Sequence, residues 1–381
     1  MDFSLNKDQI LLQQTIHDFV EKEVRPKARE WDEKEEPPVA VIKKLGALGF
    51  MGMAVPQKYG GSELDALSIS LVIEELAKGD GSLALTLAAH NGLGCGHIVR
   101  FGTEDQKKKY LSDLASGKKL GGWALTEPGS GSDASAMKTK AVQSGNDWIL
   151  NGSKMFISNG SIGETFVVLA VTEPAQKQKG ITAFILEKND KGFKTGKKIE
   201  KMGMRSSDTT ELILEDVRIP DARKLGELNQ GFINTLMMLD RGRISVGALA
   251  VGLAQAALDE SLKYVNQRET FGKLLKDHEV IRFMLSDMKT EIEAARLLVY
   301  KAATLAKEGK PFTLEASIAK LFSSEMAMRV CSKGIQIHGG YGYTREFPVE
   351  RFLRDAKLCE IGEGTSEVQR LVISREMLKK H

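Results

Sequence analysis

Cysteine is scarce in this chain: Cys95, Cys331 and Cys359 are far apart and form no CxxC pair. So sparse and odd a count argues against a disulfide framework and fits a reducing compartment. Histidine is scarce as well, six residues in 381 with no HExxH and no i,i+4 pair, so no zinc site is expected. There is no excess charge of either sign, since 54 basic residues meet 51 acidic ones for a net +3. A nucleic-acid or anionic-membrane partner calls for a concentrated basic patch and is not expected here. No apolar run approaches the roughly 20 residues of a membrane span. The opening "MDFSLNKDQI" has neither the basic nor the apolar region of a secretory signal, and the expectation is a cytoplasmic protein. What the chain does have is ordinary for a globular protein. It is 42% apolar and 28% charged, in a length that buries a large core.

Three regions differ in periodicity. The first, residues 1–120, reads as helical. "LNKDQILLQQTIHDFVEKEV" sets Ile10, Leu11, Ile16, Phe19 and Val20 on one helical face, and Thr103 is placed to cap a helix over "EDQKKKYLSDLA". The second, residues 121–228, carries strand-length runs, "TFVVLAV", "GITAFILEK" and "TTELILEDVRIP", and Asn151-Gly152 signals a hairpin. It holds too few helices for a doubly wound domain. The third, residues 229–381, has no proline between 231 and 310 and three long helical patterns joined by short loops, which suggests a bundle. The fold class expected is α+β, mainly α: an N-terminal helical domain, a central β-barrel-like domain and a C-terminal four-helix bundle.

Several segments have both a bland and a chemical reading. "GEGTSE" sets Glu363 between two glycines, which suits either a surface turn or a carboxylate that another molecule approaches closely. "WALTEPGSGSD" contains a loose G-x-G-x-x-G/A match, but the helix that a dinucleotide fingerprint requires does not follow it. It reads instead as a Gly/Ser loop able to hold a planar heterocycle or an anion. "MFISNG" places Phe156 and Ser158 two apart, on one face of a strand. "NQRETFGK" and "QIHGGYGYTRE" are glycine-bearing loop segments, and Asp240 with Arg243 in "LDRGR" reads equally as a solvated helical ion pair.

Taken together and in order, "WALTEPGSGSD", "NGSKMFISNG", "KMGMRSSDTTEL", "QRETFGK", "QIHGGYGYTREFPVERFLRDAK" and "GEGTSEVQR" resemble the acyl-CoA dehydrogenase family along nearly the whole chain. The resemblance implies an FAD enzyme that converts an acyl-CoA to a trans-2-enoyl-CoA, with hydride transfer to flavin and electrons passed to an electron-transferring flavoprotein. It makes Glu363 the base, with a pKa raised by a dry site. It assigns Trp123, Leu125, Thr126, Ser132, Phe156 and Ser158 to the flavin. Arg268, Thr270, Phe271, Gln336, Ile337, Gly339 and Gly340 go to the remainder of FAD, partly across a subunit boundary, and Thr365 and Glu367 follow the base. Ser132, Asp240, Arg243 and Gly364 fall to the acyl-CoA. A homo-oligomer, usually a tetramer, is implied, and no metal.

Two positions depart from the usual pattern. Phe156 stands where many relatives have Trp, and Gly362 where they often have Tyr, which predicts a wider acyl pocket open to branched or cyclic groups. "GSLALTLAAHNGL" carries no Lys or Arg, so a dicarboxylyl substrate is disfavoured. The alternatives are an acyl-CoA oxidase and a catalytically silent flavin-binding scaffold.

Overall fold

Asn6 accepts from the Gln9 amide while the Gln9 side chain accepts from the Asn6 amide, a reciprocal cap that starts helix α1 (Lys7–Phe19). The computed structural model describes residues 4–379. Its first region continues through α2 (Ala28–Lys34), α3 (Val39–Ala47), α4 (Ala66–Gly79), α5 (Gly81–Ala88), α6 (Gly96–Phe101) and α7 (Glu104–Ala115). Asp65, Asp80 and Thr103 cap α4, α5 and α7, the last as expected. The expected stripe on the first helix holds only in part. Ile16 and Val20 are buried, but Ile10 and Leu11 stand exposed. Gln9, two turns before Ile16, is the residue that shares its phase and is buried. A π-helical segment, Ala89–Cys95, joins α5 to α6.

The chain then turns to strands: β1 (Gly121–Ala124), β2 (Lys140–Ser144), β3 (Asp147–Ser158), β4 (Thr165–Val171), β5 (Ile181–Glu187), β6 (Phe193–Lys198), β7 (Thr209–Pro220) and β8 (Lys224–Leu225). They form one sheet in the order β6-β7-β3-β2-β4-β5-β8, with β1 parallel to β4. Side chains from β1 to β7, Trp148, Phe166, Phe184, Phe193 and Leu214 among them, form an apolar cluster made of strand residues alone. One face of the sheet is thus covered by the sheet itself, as in a barrel. The other face sets Val167, Leu169 and Ile185 against Tyr110, Leu111 and Leu114 of α7.

Asn151-Gly152 is not a hairpin. Both residues lie inside β3, at a bulge where Gly152 takes φ 148° and a Cβ would strike Thr139. The hairpin turn is Gly145-Asn146, closed by the Ser144–Asp147 pair and made possible by φ 64° at Gly145.

The third region is helical apart from a two-stranded ribbon. α8 (Gly231–Val265) runs into β9 (Glu269–Thr270) and β10 (Lys273–Leu274), followed by α9 (Glu279–Lys307), α10 (Thr313–His338), α11 (Val349–Ile361) and α12 (Ser366–Leu378). Residues 246 to 258 of α8 are almost all buried, and Gly252 lets its backbone press on Glu74 of α4. The bundle and the N-terminal helices therefore share one apolar core.

Candidate active site

Four residues, 362 to 365, connect α11 to α12. Thr365 caps α12 with its hydroxyl on the Val368 amide, so the preceding residues must turn sharply. Glu363 (φ 54°) and Gly364 (φ 94°) are both left-handed. That conformation costs a non-glycine residue roughly 1–2 kcal/mol. No backbone or side-chain acceptor among the described residues takes the Glu363 N–H.

The Glu363 carboxylate is seated against α8. A Cβ on Gly242 would lie 1.6 Å from its Oε2, so only glycine leaves room for it. Oε2 is buried without a hydrogen-bond partner, while the residue as a whole stays partly exposed. Burial pushes this carboxyl up to about 7, against the pull of Lys320 and Arg243. The direction matches the raised pKa expected at Glu363, and burial is its cause.

Arg243 is buried and donates to Asp240 at 2.5 Å and to Ser317 at 3.3 Å, and Thr313 donates to the second Asp240 oxygen. The reading of Asp240 and Arg243 as a solvated surface pair is therefore overturned. The pair lies inside the bundle, one turn beyond Met237, and Arg243 bears electrostatically on Glu363.

A second wall begins where β1 ends. Met155 donates to the Thr126 carbonyl at 2.8 Å, and buried Lys154 donates to the Leu125 carbonyl at 3.1 Å and to Glu127 at 2.8 Å. Glu127 also accepts from the Lys138 and Thr139 amides. Burial pushes Lys154 down to about 8 against the pull of Glu127. The pair locks the loop carrying Leu125, Thr126 and Ser132 onto β3. Ser132 is exposed at its outer end, and the Trp123 indole N–H is taken by His97.

Phe156 corrects the expectation of a shared face with Ser158. A bulge between Lys154 and Ile157 interrupts the alternation, and φ 60° at Phe156 swings its ring outward, 62% exposed.

The other predicted residues lie elsewhere. Arg268 sits over the Tyr341 ring, 6.0 Å from its centroid, which ties the β9–β10 ribbon to the Gly339–Tyr343 turn. Phe271 (φ 50°) at the ribbon tip is 96% exposed, and Gln336, Gly339 and Gly340 are exposed as well. Ile337 packs into the bundle core. His338, between Ile337 and Gly339, stacks on Tyr264 of α8. From Gly242 to Tyr264 the helix advances 22 residues, or about 33 Å at its rise of about 1.5 Å per residue. One chain therefore does not bring the two groups together.

Sequence reasoning missed Gly242, Lys154, Glu127 and Lys320. A glycine inside a long helix was a usable signal for the first, since it costs about 1 kcal/mol relative to alanine and implies a packing reason. The buried lysines gave none, because their positions read as ordinary polar faces.

Models of the acyl-CoA dehydrogenase N-terminal, middle and C-terminal domains match residues 6–118, 122–217 and 229–378. The chain is 46% identical to a short-chain specific acyl-CoA dehydrogenase from Clostridium acetobutylicum, over 100% of both. It superimposes on butyryl-CoA dehydrogenase from Megasphaera elsdenii with TM-score 0.97 at 47% identity, covering 99% of this chain and 100% of that one. A chain in the structure described as "Electron transferring flavoprotein of Acidaminococcus fermentans: Towards a mechanism of flavin-based electron bifurcation" matches with TM-score 0.98 at 46% identity, over the full length of both.

Proposed function

The chain belongs to the acyl-CoA dehydrogenase family, and from that premise we propose that Glu363 abstracts the α-proton of a short acyl-CoA thioester, giving a trans-2-enoyl-CoA. The observation that carries this reading is the seated carboxylate itself. It is left-handed, pressed on Gly242, lacking a partner at Oε2, and poised near neutrality by burial. A base titrating near the working pH combines adequate ionisation with adequate basicity. The free Glu363 N–H beside it is suited to receive the thioester oxygen as its charge grows. Arg243 and Lys320 add positive charge around the same point without competing for the proton.

The chain's residues fit FAD. A Cβ at Gly129 or Gly131 would meet nothing within 4 Å, so open space lies over the loop that Lys154 and Glu127 hold rigid. The Phe156 ring is itself exposed, at 62%. Leu125, Thr126, Phe156 and Ser158 would hold the ring system, with Trp123 supporting the loop from behind through His97, and Thr365 and Glu367 would lie near the base. FAD, when bound, supplies the acceptor for the hydrogen that leaves the β-carbon. Ser132 at the loop's exposed end, Asp240 and Arg243 on α8, and Gly364 would position the acyl-CoA.

The group at Arg268, Thr270, Phe271, Gln336, Gly339 and Gly340 serves the cofactor of a second copy, because about 33 Å of helix separates it from Glu363 in its own chain, while Ile337, buried in the core, holds the turn in place. Gly339, Gly340 and Gly272 also face open space. A homo-oligomer follows, with a tetramer as its assembled form. Electrons leave to an electron-transferring flavoprotein, a reading supported by the matched chain from Acidaminococcus fermentans. Relatives named for short-chain and butyryl substrates support a short acyl group. At Gly362 a Cβ would meet only Leu358, no closer than 3.4 Å, so room remains there for a branch or ring.

The test is anaerobic mixing of the holoenzyme with butyryl-, hexanoyl- and cyclohexanecarboxyl-CoA, following the flavin absorbance. Bleaching is expected with the parent, and Glu363→Gln should slow it by about 10²–10⁴-fold. A glutamine variant that reduces flavin at the parental rate would refute the assignment. Rapid reoxidation by air would favour an oxidase.

A further inference from the structure

Lys320 lies in the middle of α10 with no exposed surface, on a helix that buries alanines and serines around it. No ion pair with a carboxylate is present for it among the described residues, and its Nζ donates to one acceptor, the Gly364 carbonyl, at 2.6 Å. An ammonium taken out of water without a paired carboxylate is expensive, and Met or Leu would fill the same volume at no such cost. The expense is directed at the carbonyl that immediately follows Glu363, in a turn where both residues are left-handed. Gln369, also fully buried, donates to the same carbonyl at 2.9 Å.

We propose that Lys320 is a positioning residue of the reaction: its ammonium clamps the Gly364 carbonyl, fixing the turn that presents the Glu363 carboxylate, and its charge keeps that carboxylate available as a base in a dry site. This rests on Glu363 being the base. The charged and titratable groups that bear on the pair are few. Arg243 faces Glu363 from α8 and is itself engaged by Asp240, with Arg375 of α12 beyond it. Cys359 and Glu360 face Lys320 from α11. Burial is the larger influence on Glu363, and Lys320 comes before Arg243 among the groups that oppose it. An opposite charge favours the ionised carboxylate, so its removal lets the carboxyl pKa rise. Gln369 still tethers the turn when the lysine is replaced, which separates the charge from the fold.

The experiment compares the parent with Lys320→Met, Lys320→Gln and Lys320→Arg. Glutamate carboxyls labelled with 13C are titrated by NMR, the Glu363 signal being identified by its loss in Glu363→Gln. The pH profile of kcat/KM is measured on the same proteins. In Lys320→Met the Glu363 midpoint should rise by about one pH unit or more, the acid limb of kcat/KM should move with it, and Lys320→Arg should return both toward the parent. Lys320→Gln keeps a donor without the charge, so its midpoint should follow Lys320→Met, and it stands in if the methionine variant does not fold. Unmoved midpoints in the neutral variants, with only a lower thermal midpoint, would reduce Lys320 to a packing residue and overturn the proposal. If the parent reduces no flavin with any thioester, the proposed function falls, while the carboxyl titration still reports on Lys320.

Discussion

Glu363 is a carboxylate whose usefulness depends on one missing methyl group. Gly242 faces it across 1.6 Å of would-be Cβ contact, so Gly242→Ala must drive the carboxylate from its seat. Alanine is the better helix former by about 1 kcal/mol. The expected outcome is a split: kcat falls at least tenfold, while flavin content and thermal midpoint stay at or above the parent's. Measuring kcat and the melting curve together checks this, and an unchanged kcat would mean that the carboxylate seats itself elsewhere without loss. The proposed base was legible in the sequence as a candidate, since a glutamate flanked by glycines in "GEGTSE" is distinctive. Its seat was not. Nothing in "ASIAKLFSSE" distinguishes Lys320 from a solvated lysine, because α8, α11 and α12 bury it only once the bundle has formed.

At the level of elements, Asp355 on α11 joins three parts of the chain. Its Oδ1 accepts from the Met204 amide at 2.5 Å, its Oδ2 lies 3.1 Å from where a Cβ on Gly81 would be, and Asp80 caps α5 alongside. Both carboxylates keep a buried Oδ2 without a partner. Burial, and then the neighbouring Asp80, push Asp355 up to about 7. The folded value is thus above the unfolded one of about 3.9. The stability it contributes is fully present below that unfolded value and is lost as pH rises through about 7. Asparagine keeps the acceptor and stays neutral, so the thermal midpoint of Asp355→Asn relative to the parent should climb between pH 5 and pH 8. A difference that stays flat across that range would show that the folded pKa of Asp355 is not raised into it. Element type was readable from periodicity: the runs expected as strands became β4, β5 and β7, and the proline-free stretch became α8 and α9. Local turn chemistry misled at Asn151-Gly152, where pairing of β3 along β7 overrode the hairpin preference and turned the glycine into a bulge.

For the whole molecule, the helical, then β, then helical order is legible in the sequence, because each region changes its hydrophobic period. The grouping of site residues was not, since linear order says nothing about the length of α8 lying between two ends of a bundle. Phe271 tests the consequence. Its ring is 96% exposed on the ribbon tip, so Phe271→Ala should leave the fold intact. It should lower FAD retention and shift sedimentation toward smaller species on dilution; full flavin content with an unchanged sedimentation profile would argue against a shared cofactor site. Phe156, Phe271 and Glu363 have one further property in common, a left-handed backbone on a residue with a bulky side chain. Replacing any of the three by glycine would relieve strain and remove the side chain proposed to meet the ligand. Selection for durability alone would drift toward those glycines, so a descendant freed from turnover should lose these side chains while its bundle outlasts them.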